Sequence, residues 1–164
     1  MTRLTKLSLW IIFPLCAFAR PDGYGDLDAL CRDFVEVLKS SDNAELLEFC
    51  KKISPDEETA SFMRKIKFSY RGFPDKYAGG SIVVDTNYKI LYEFREKLKN
   101  RGLLDQLTFD KRPNREGMLM ETFNVMASET QIILKSGDES IEGKLGEMLK
   151  VDGSWKVFTK PYFH

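Results

Sequence analysis

The stretch MLKVDGSWKV at residues 148–157 decides the fold. Its Asp152-Gly153 pair separates two short segments in which apolar residues recur at every second position. A period of two is typical of strands that bury one face. Asp-Gly is a favoured two-residue connection between such strands, because both of its residues tolerate positive φ. The stretch therefore predicts a β-hairpin.

The period of two extends upstream from this hairpin to Met118. It predicts four strands that follow one another as a meander: Met118 to Ser128, Thr130 to Lys135, Glu139 to Val151, and Ser154 to Phe158. Gly137-Asp138 marks a turn between the second and third of these strands.

The first half of the chain has the periodicity of amphipathic helices. It predicts helices over Asp26 to Ser40, from Asp42 or Asn43 through Ile53, from Ser54 to about Lys67, and from Asp85 or Thr86 to Asn100. Ser54, Pro55 and Glu57 form a start signal for the third helix, and Gly102 ends the fourth. Arg71 to Gly80 is predicted to be a loop, and Leu103 to Phe109 fits either a short helix or a strand. Helices followed by an antiparallel sheet predict an α+β architecture.

Residues 1–19 have the pattern of a secretory signal peptide. Arg3 and Lys6 precede the apolar run Leu7 to Cys16, and Ala17-Phe18-Ala19 supplies the small residues that signal peptidase requires. The sequence therefore predicts an exported protein, periplasmic or secreted, with one α+β domain over residues 20–164. The alternatives are a membrane anchor, for which this run is too short, a lipoprotein signal, and a buried N-terminal helix.

The charge balance bears on the partners of the chain, and the cysteines bear on whether it contains a disulfide. Without its first 19 residues the chain has 23 basic and 25 acidic residues, which gives no reason to expect nucleic acid or an anionic membrane as partner. In an exported chain, Cys31 and Cys50 on two neighbouring helices are predicted to form a disulfide. Two packed free thiols are the alternative.

The hairpin at residues 148–157 resembles the closing hairpin of the nuclear transport factor 2-like superfamily, especially its small exported bacterial members. In that family a hydrophobic strand, an Asp-Gly turn and a Trp-Lys-aliphatic strand end the domain. The resemblance implies a cone, in which helices cover a bent sheet with a pocket between them, and it is compatible with a homodimer. It implies no single activity, because related domains include isomerases, dehydratases, cyclases and noncatalytic binding modules.

Candidate site residues follow from the predicted elements. Glu121 alternates onto one face with four apolar residues of its strand, and a buried carboxylate could act as a general acid or base. Glu147 is similar, but Gly143 and Gly146 favour a bulge that would turn it outward. Four aromatic residues are candidates for lining a ligand pocket, although core packing is their default: Tyr88, Tyr92, Phe123 and Trp155.

Several kinds of site are disfavoured by the residues present. His164 is the sole histidine, so a Ser-His-Asp site, a Cys-His site and a histidine-rich metal centre all lack their imidazole. No cofactor and no metal are expected. The sequence favours an exported noncatalytic domain that binds a small apolar ligand or an envelope protein. The alternative is an isomerase or hydrolyase of the cone fold that uses Glu121 with help from a tyrosine.

Overall fold

The computed structural model describes residues 23–65, 80–113, 118–120 and 125–164, and these residues form four helices followed by a six-stranded antiparallel sheet. The helices are α1 (Leu27–Lys39), α2 (Asn43–Ile53), α3 (Glu57–Lys65) and α4 (Gly80–Asn100). The strands are β1 (Leu107–Lys111), β2 (Met118–Met120), β3 (Val125–Ser136), β4 (Glu139–Val151), β5 (Ser154–Val157) and β6 (Tyr162–Phe163). The predicted α+β architecture is confirmed. The proposed signal peptide lies outside the described residues, as does the predicted loop apart from Gly80.

Side-chain caps set the ends of the first three helices. The Asp26 carboxylate accepts a hydrogen bond from the backbone N–H of Ala29 at 2.7 Å and begins α1. Asp42 begins α2 in the same way, as its spacing predicts. The predicted cap of α3 is wrong. Ser54 ends α2 instead, and Asp56 accepts the hydrogen bond from Thr59 at 2.7 Å at the start of α3.

Helix α4 is longer than its predicted extent. It begins at Gly80 rather than at Asp85 or Thr86, and the Thr86 hydroxyl donates to the carbonyl of Ile82 inside the helix instead of capping it. The predicted end at Asn100 is confirmed, and Gly102 follows it with a φ of 69°.

The sheet has two long central strands, each with two short partners. β3 pairs with β4 along its length, with β1 at one end and with β2 at the other. β4 pairs on its far side with β5 and β6. The predicted β4–β5 hairpin is confirmed: Asp152 and Gly153 both have positive φ, 48° and 80°. The segment Leu103 to Phe109, which fitted a helix or a strand, contains the first three residues of β1.

The prediction of one strand from Met118 to Ser128 is wrong. Met118 of β2 lies opposite Ala127 of β3, and Met120 lies opposite Val125. The two halves of the predicted strand are therefore antiparallel partners, and β3 continues through Glu129 to Ser136. The alternation that put Glu121 on an apolar face assumed a single strand and no longer applies.

A bulge interrupts β4 where its glycines predict one. The pairing register shifts between Thr130 and Gln131 of β3, and Gly146 has a φ of 127°. A Cβ atom on this glycine would lie 2.5 Å from the carbonyl oxygen of Thr159. The bulge leaves the side chain of Glu147 34% exposed, 3.8 Å from the ammonium group of Lys144.

The hydrophobic core lies between the helices and one face of the sheet. α1 packs on β1 and α2 packs on α4, while β5 contacts α2. Phe163 of β6 joins the two layers, because its ring stacks on Phe94 of α4 at 4.0 Å between centroids and on Phe34 of α1 at 5.6 Å.

The predicted disulfide is wrong in this structure. Cys31 and Cys50 are both free and fully buried in the core. α1 and α2 direct their apolar faces to β1 and α4 as well as to each other, so a helix pair alone does not bring the two sulfurs into bonding position. Burial raises the pKa of each thiol to about 12, which leaves both protonated at neutral pH.

Candidate functional site

A cavity of about 500 Å³ opens where the α1–α2 connection meets α4 and the turn that follows it. Its size is within the range of small-molecule sites. The described residues that line it are mostly polar: Lys39, Ser40, Ser41, Asn43, Tyr92, Arg95, Glu96, Lys99, Gly102, Leu104 and Asp105.

Helix α4 supplies one wall of the cavity. Tyr92, Arg95, Glu96 and Lys99 are spaced so that they fall on one face of the helix. The opposite wall comes from the end of α1 and the start of α2, where Ser40 ends one helix and Asp42 caps the next. The lining residues are therefore positioned by one face of α4 and by the adjoining ends of α1 and α2. The core beneath these helices holds them in place.

Arg95 is the central residue of this cavity. Its side chain is only 4% exposed. One guanidinium N–H donates to the carbonyl oxygen of Ser40 at 3.2 Å, and another donates to the side-chain oxygen of Asn43. The Tyr92 ring lies 5.2 Å from the guanidinium carbon, in the geometry of a cation–π contact. These contacts fix the guanidinium between α4 and the α1–α2 connection.

The charge of Arg95 is not neutralised by a carboxylate among the described residues. Both of its hydrogen-bond acceptors are neutral oxygens. Burying an ion without a counter-charge costs several kcal/mol, of which hydrogen bonds and a π face return only part. The site therefore has a fixed, buried positive charge at a cavity wall.

The rest of the lining carries charges of both signs. Lys39 and Lys99 add two ammonium groups, while Glu96 and Asp105 add two carboxylates. Lys39 lies 3.8 Å from Glu36, outside the lining. With Arg95, the described lining has three cations and two anions. It offers many hydrogen-bond donors and could therefore bind a polar group.

The aromatic and acidic candidates from the sequence are not all brought together. Tyr92 lines the cavity, and the ring of Tyr88 stacks on it at 6.0 Å. Trp155 lies elsewhere, in β5, where its side chain is part of the core and its backbone N–H donates to the carbonyl oxygen of Tyr24 at 2.8 Å. Phe123 and Glu121 lie outside the described residues. Glu147 lies on the sheet, away from this lining.

Arg95 is absent from the candidates that the sequence analysis selected. The signal that could have found it is its place in the α4 pattern, four residues after Leu91 and three before Leu98. Those two leucines are fully buried, so a charged residue at this spacing falls on the buried face of the helix. A charge at a core position is uncommon and marks a candidate for function.

No cluster of ligating side chains that could hold a metal ion occurs among residues 23–65, 80–113, 118–120 and 125–164. In the same part of the chain, no helix combines the length and the apolar character needed to cross a bilayer.

Comparisons with protein-family models, curated proteins and solved structures found no match. The assignment of a function therefore depends on the residues of this chain.

Proposed function

We propose that this chain is an exported, noncatalytic domain that binds a small ligand in the cavity between α4 and the α1–α2 connection. The single observation that carries the proposal is the cavity itself, about 500 Å³ in volume, with a buried and fixed arginine in its wall. A lining held in place before binding loses little conformational entropy when a ligand enters, which favours affinity.

The polarity of the lining favours a polar ligand over the apolar ligand that the sequence predicts. Nine of the eleven lining residues carry a charged, hydroxyl or amide side chain, and the other two are Gly102 and Leu104. A ligand that matches only apolar surface would leave these donors and acceptors without partners, at a cost of about 1 to 3 kcal/mol for each buried group.

We include in this proposal that the chain is a member of the nuclear transport factor 2-like superfamily. That superfamily contains noncatalytic binding modules, so the membership is compatible with a binding function. Nothing among the described residues favours an isomerase or hydrolyase that uses Glu121.

The test is a ligand screen by saturation-transfer NMR with mixtures of small acids, bases and neutral compounds on the full chain. Ser41 is an exposed lining residue, and Ser41→Trp places a large side chain in the cavity. Ser140→Trp is the matched control, because Ser140 is exposed on β4 and takes no part in the lining. We expect signals that Ser41→Trp abolishes and Ser140→Trp preserves. If no compound behaves in this way, the cavity is not a ligand site and the proposal is wrong.

A further inference from the structure

We infer that the cavity recognises the oxyanion group of its ligand, a phosphate or a carboxylate, through the guanidinium of Arg95. The inference depends on the proposed binding function and names the ligand class. Three observations carry it: the unneutralised charge of Arg95, its remaining donors, and the cations beside it.

The first observation is the charge itself. The guanidinium group of an arginine carries a full positive charge in folded proteins. Its two acceptors, on Ser40 and Asn43, supply partial negative charge only. An oxyanion in the cavity would supply a full counter-charge, and the pair would form in a site that is already largely desolvated.

The second observation is the donor geometry. A guanidinium has five N–H groups, and the two bonds to the protein use two of them. Arg95 is one of the lining residues, and we infer that its remaining donors face the cavity. A planar fork fits two oxygens of one phosphate or carboxylate, whereas a neutral ligand would accept fewer and weaker bonds.

The third observation is the distribution of the other charges. Lys99 is exposed on the same face of α4 as Arg95 and forms no ion pair among the described residues. Lys39 lies on the opposite wall of the cavity. Glu96 and Asp105 oppose an anion but leave an excess of one positive charge in the lining. The two carboxylates would discriminate against large polyanions and favour a ligand with a single compact oxyanion.

A structural role for Arg95 alone is the competing interpretation. The guanidinium joins residues that are 52 and 55 positions apart in the chain, so its removal would destabilise the protein with or without a ligand. A stability measurement on a variant therefore cannot separate the two interpretations. An anion titration can do so.

The experiment is isothermal titration calorimetry of the full chain with inorganic phosphate and, separately, with succinate, at ionic strength held constant with sodium chloride. We expect binding of at least one probe, weakened at least about tenfold by Arg95→Met, which removes the charged hydrogen bonds. Lys99→Met, at an exposed position, is expected to weaken binding about two- to fivefold without affecting folding. Arg101→Met is the matched control, because Arg101 follows α4, pairs with Glu139 and does not line the cavity.

The outcomes separate the two proposals. Binding that is lost in Arg95→Met and kept in Arg101→Met supports the inference, and a preference for one probe identifies the oxyanion. If Arg95→Met does not fold, loss of affinity in Lys99→Met supports it and unchanged affinity overturns it. If neither probe binds, while neutral compounds still give signals that Ser41→Trp abolishes, the oxyanion inference is wrong and the binding function stands. If no compound of any class binds, both are wrong.

Discussion

Gly143→Ala is expected to destabilise the protein mainly through the ring of Phe163, and the backbone carbonyl oxygen of Tyr162, 3.0 Å from the added Cβ atom, is a second close contact. A Cβ atom on Gly143 would contact Cδ1 of this ring and lie 2.9 Å from its Cε1 atom, closer than carbon atoms can approach. The ring cannot move aside, because it is stacked on Phe94 and on Phe34. Overpacking of this kind costs about 1 to 3 kcal/mol.

A double-mutant cycle tests this reasoning. Phe163→Ala alone removes a partly buried aromatic side chain, for which we expect a loss of about 2 to 3 kcal/mol, at the low end for Phe→Ala in a core. In the double variant the clash with the ring is gone, so Gly143→Ala should cost at least about 1 kcal/mol less than it does alone.

The assay is urea unfolding followed by far-UV circular dichroism and extrapolated to water. Gly25→Ala is the control, since a Cβ there meets only a carbonyl oxygen at 3.6 Å, an ordinary contact. It should change the free energy of unfolding by less than about 0.5 kcal/mol. Costs that add within about 0.5 kcal/mol in the double variant would refute the proposed contact between Gly143 and Phe163.

Three further predictions concern the core thiols, a helix cap and export. Burial raises the pKa of Cys31 and Cys50 to about 12 from an ordinary value of 9.0, so the unfolded chain loses these protons first. The two thiols should then lower the free energy of unfolding between pH 9 and 12, by up to about 1.4 kcal/mol per pH unit for each thiol. Cys31→Ala and Cys50→Ala should each remove one thiol's share of this slope. A slope that neither variant changes would contradict this. Asp56→Ala should cost about 0.5 to 2 kcal/mol in the same unfolding assay, because it removes the cap of α3. The hydrogen bond from Thr59 lowers the pKa of this carboxyl, so its contribution is present above its ordinary pKa and is lost as pH falls through the lowered one. An equal cost at pH 7 and in strong acid would argue against the cap. If residues 1–19 are a signal peptide, the intact mass of the exported protein should be that of residues 20–164, and Ala19→Arg should block cleavage. A full-length mass in the exported fraction would reject it.

The sequence predicts those parts of the fold that are determined by residues close together in the chain. The β4–β5 hairpin follows from Asp152 and Gly153, which supply the positive φ values that its turn requires. The extent of α1 follows from its apolar spacing and from Asp26 before it. The bulge in β4 follows from Gly146.

The predictions of structure were wrong in two situations. Either the position of a residue depends on partners that are distant in the chain, or the sequence signal for a turn is weak. Residues 121–124 contain neither glycine nor proline, and Asn124 alone is a weak signal for a turn that would separate β2 from β3. β6 has two residues and is defined only by its pairing with β4. The candidate site was missed because a lysine or arginine in a helix is expected to face water, although the spacing of Arg95 from Leu91 and Leu98 places it on the apolar face of α4.

The pairing of β3 with β4 has a consequence for the order in which the chain folds. Gly137-Asp138 joins the two longest strands with the shortest possible connection, so little loop entropy opposes their association. Contacts such as Arg112 with Asp28 and Arg95 with the α1–α2 connection join distant parts of the sequence and must form against a larger entropic barrier. Mutations near the β3–β4 turn should therefore slow refolding, whereas mutations at Arg112 should mainly accelerate unfolding.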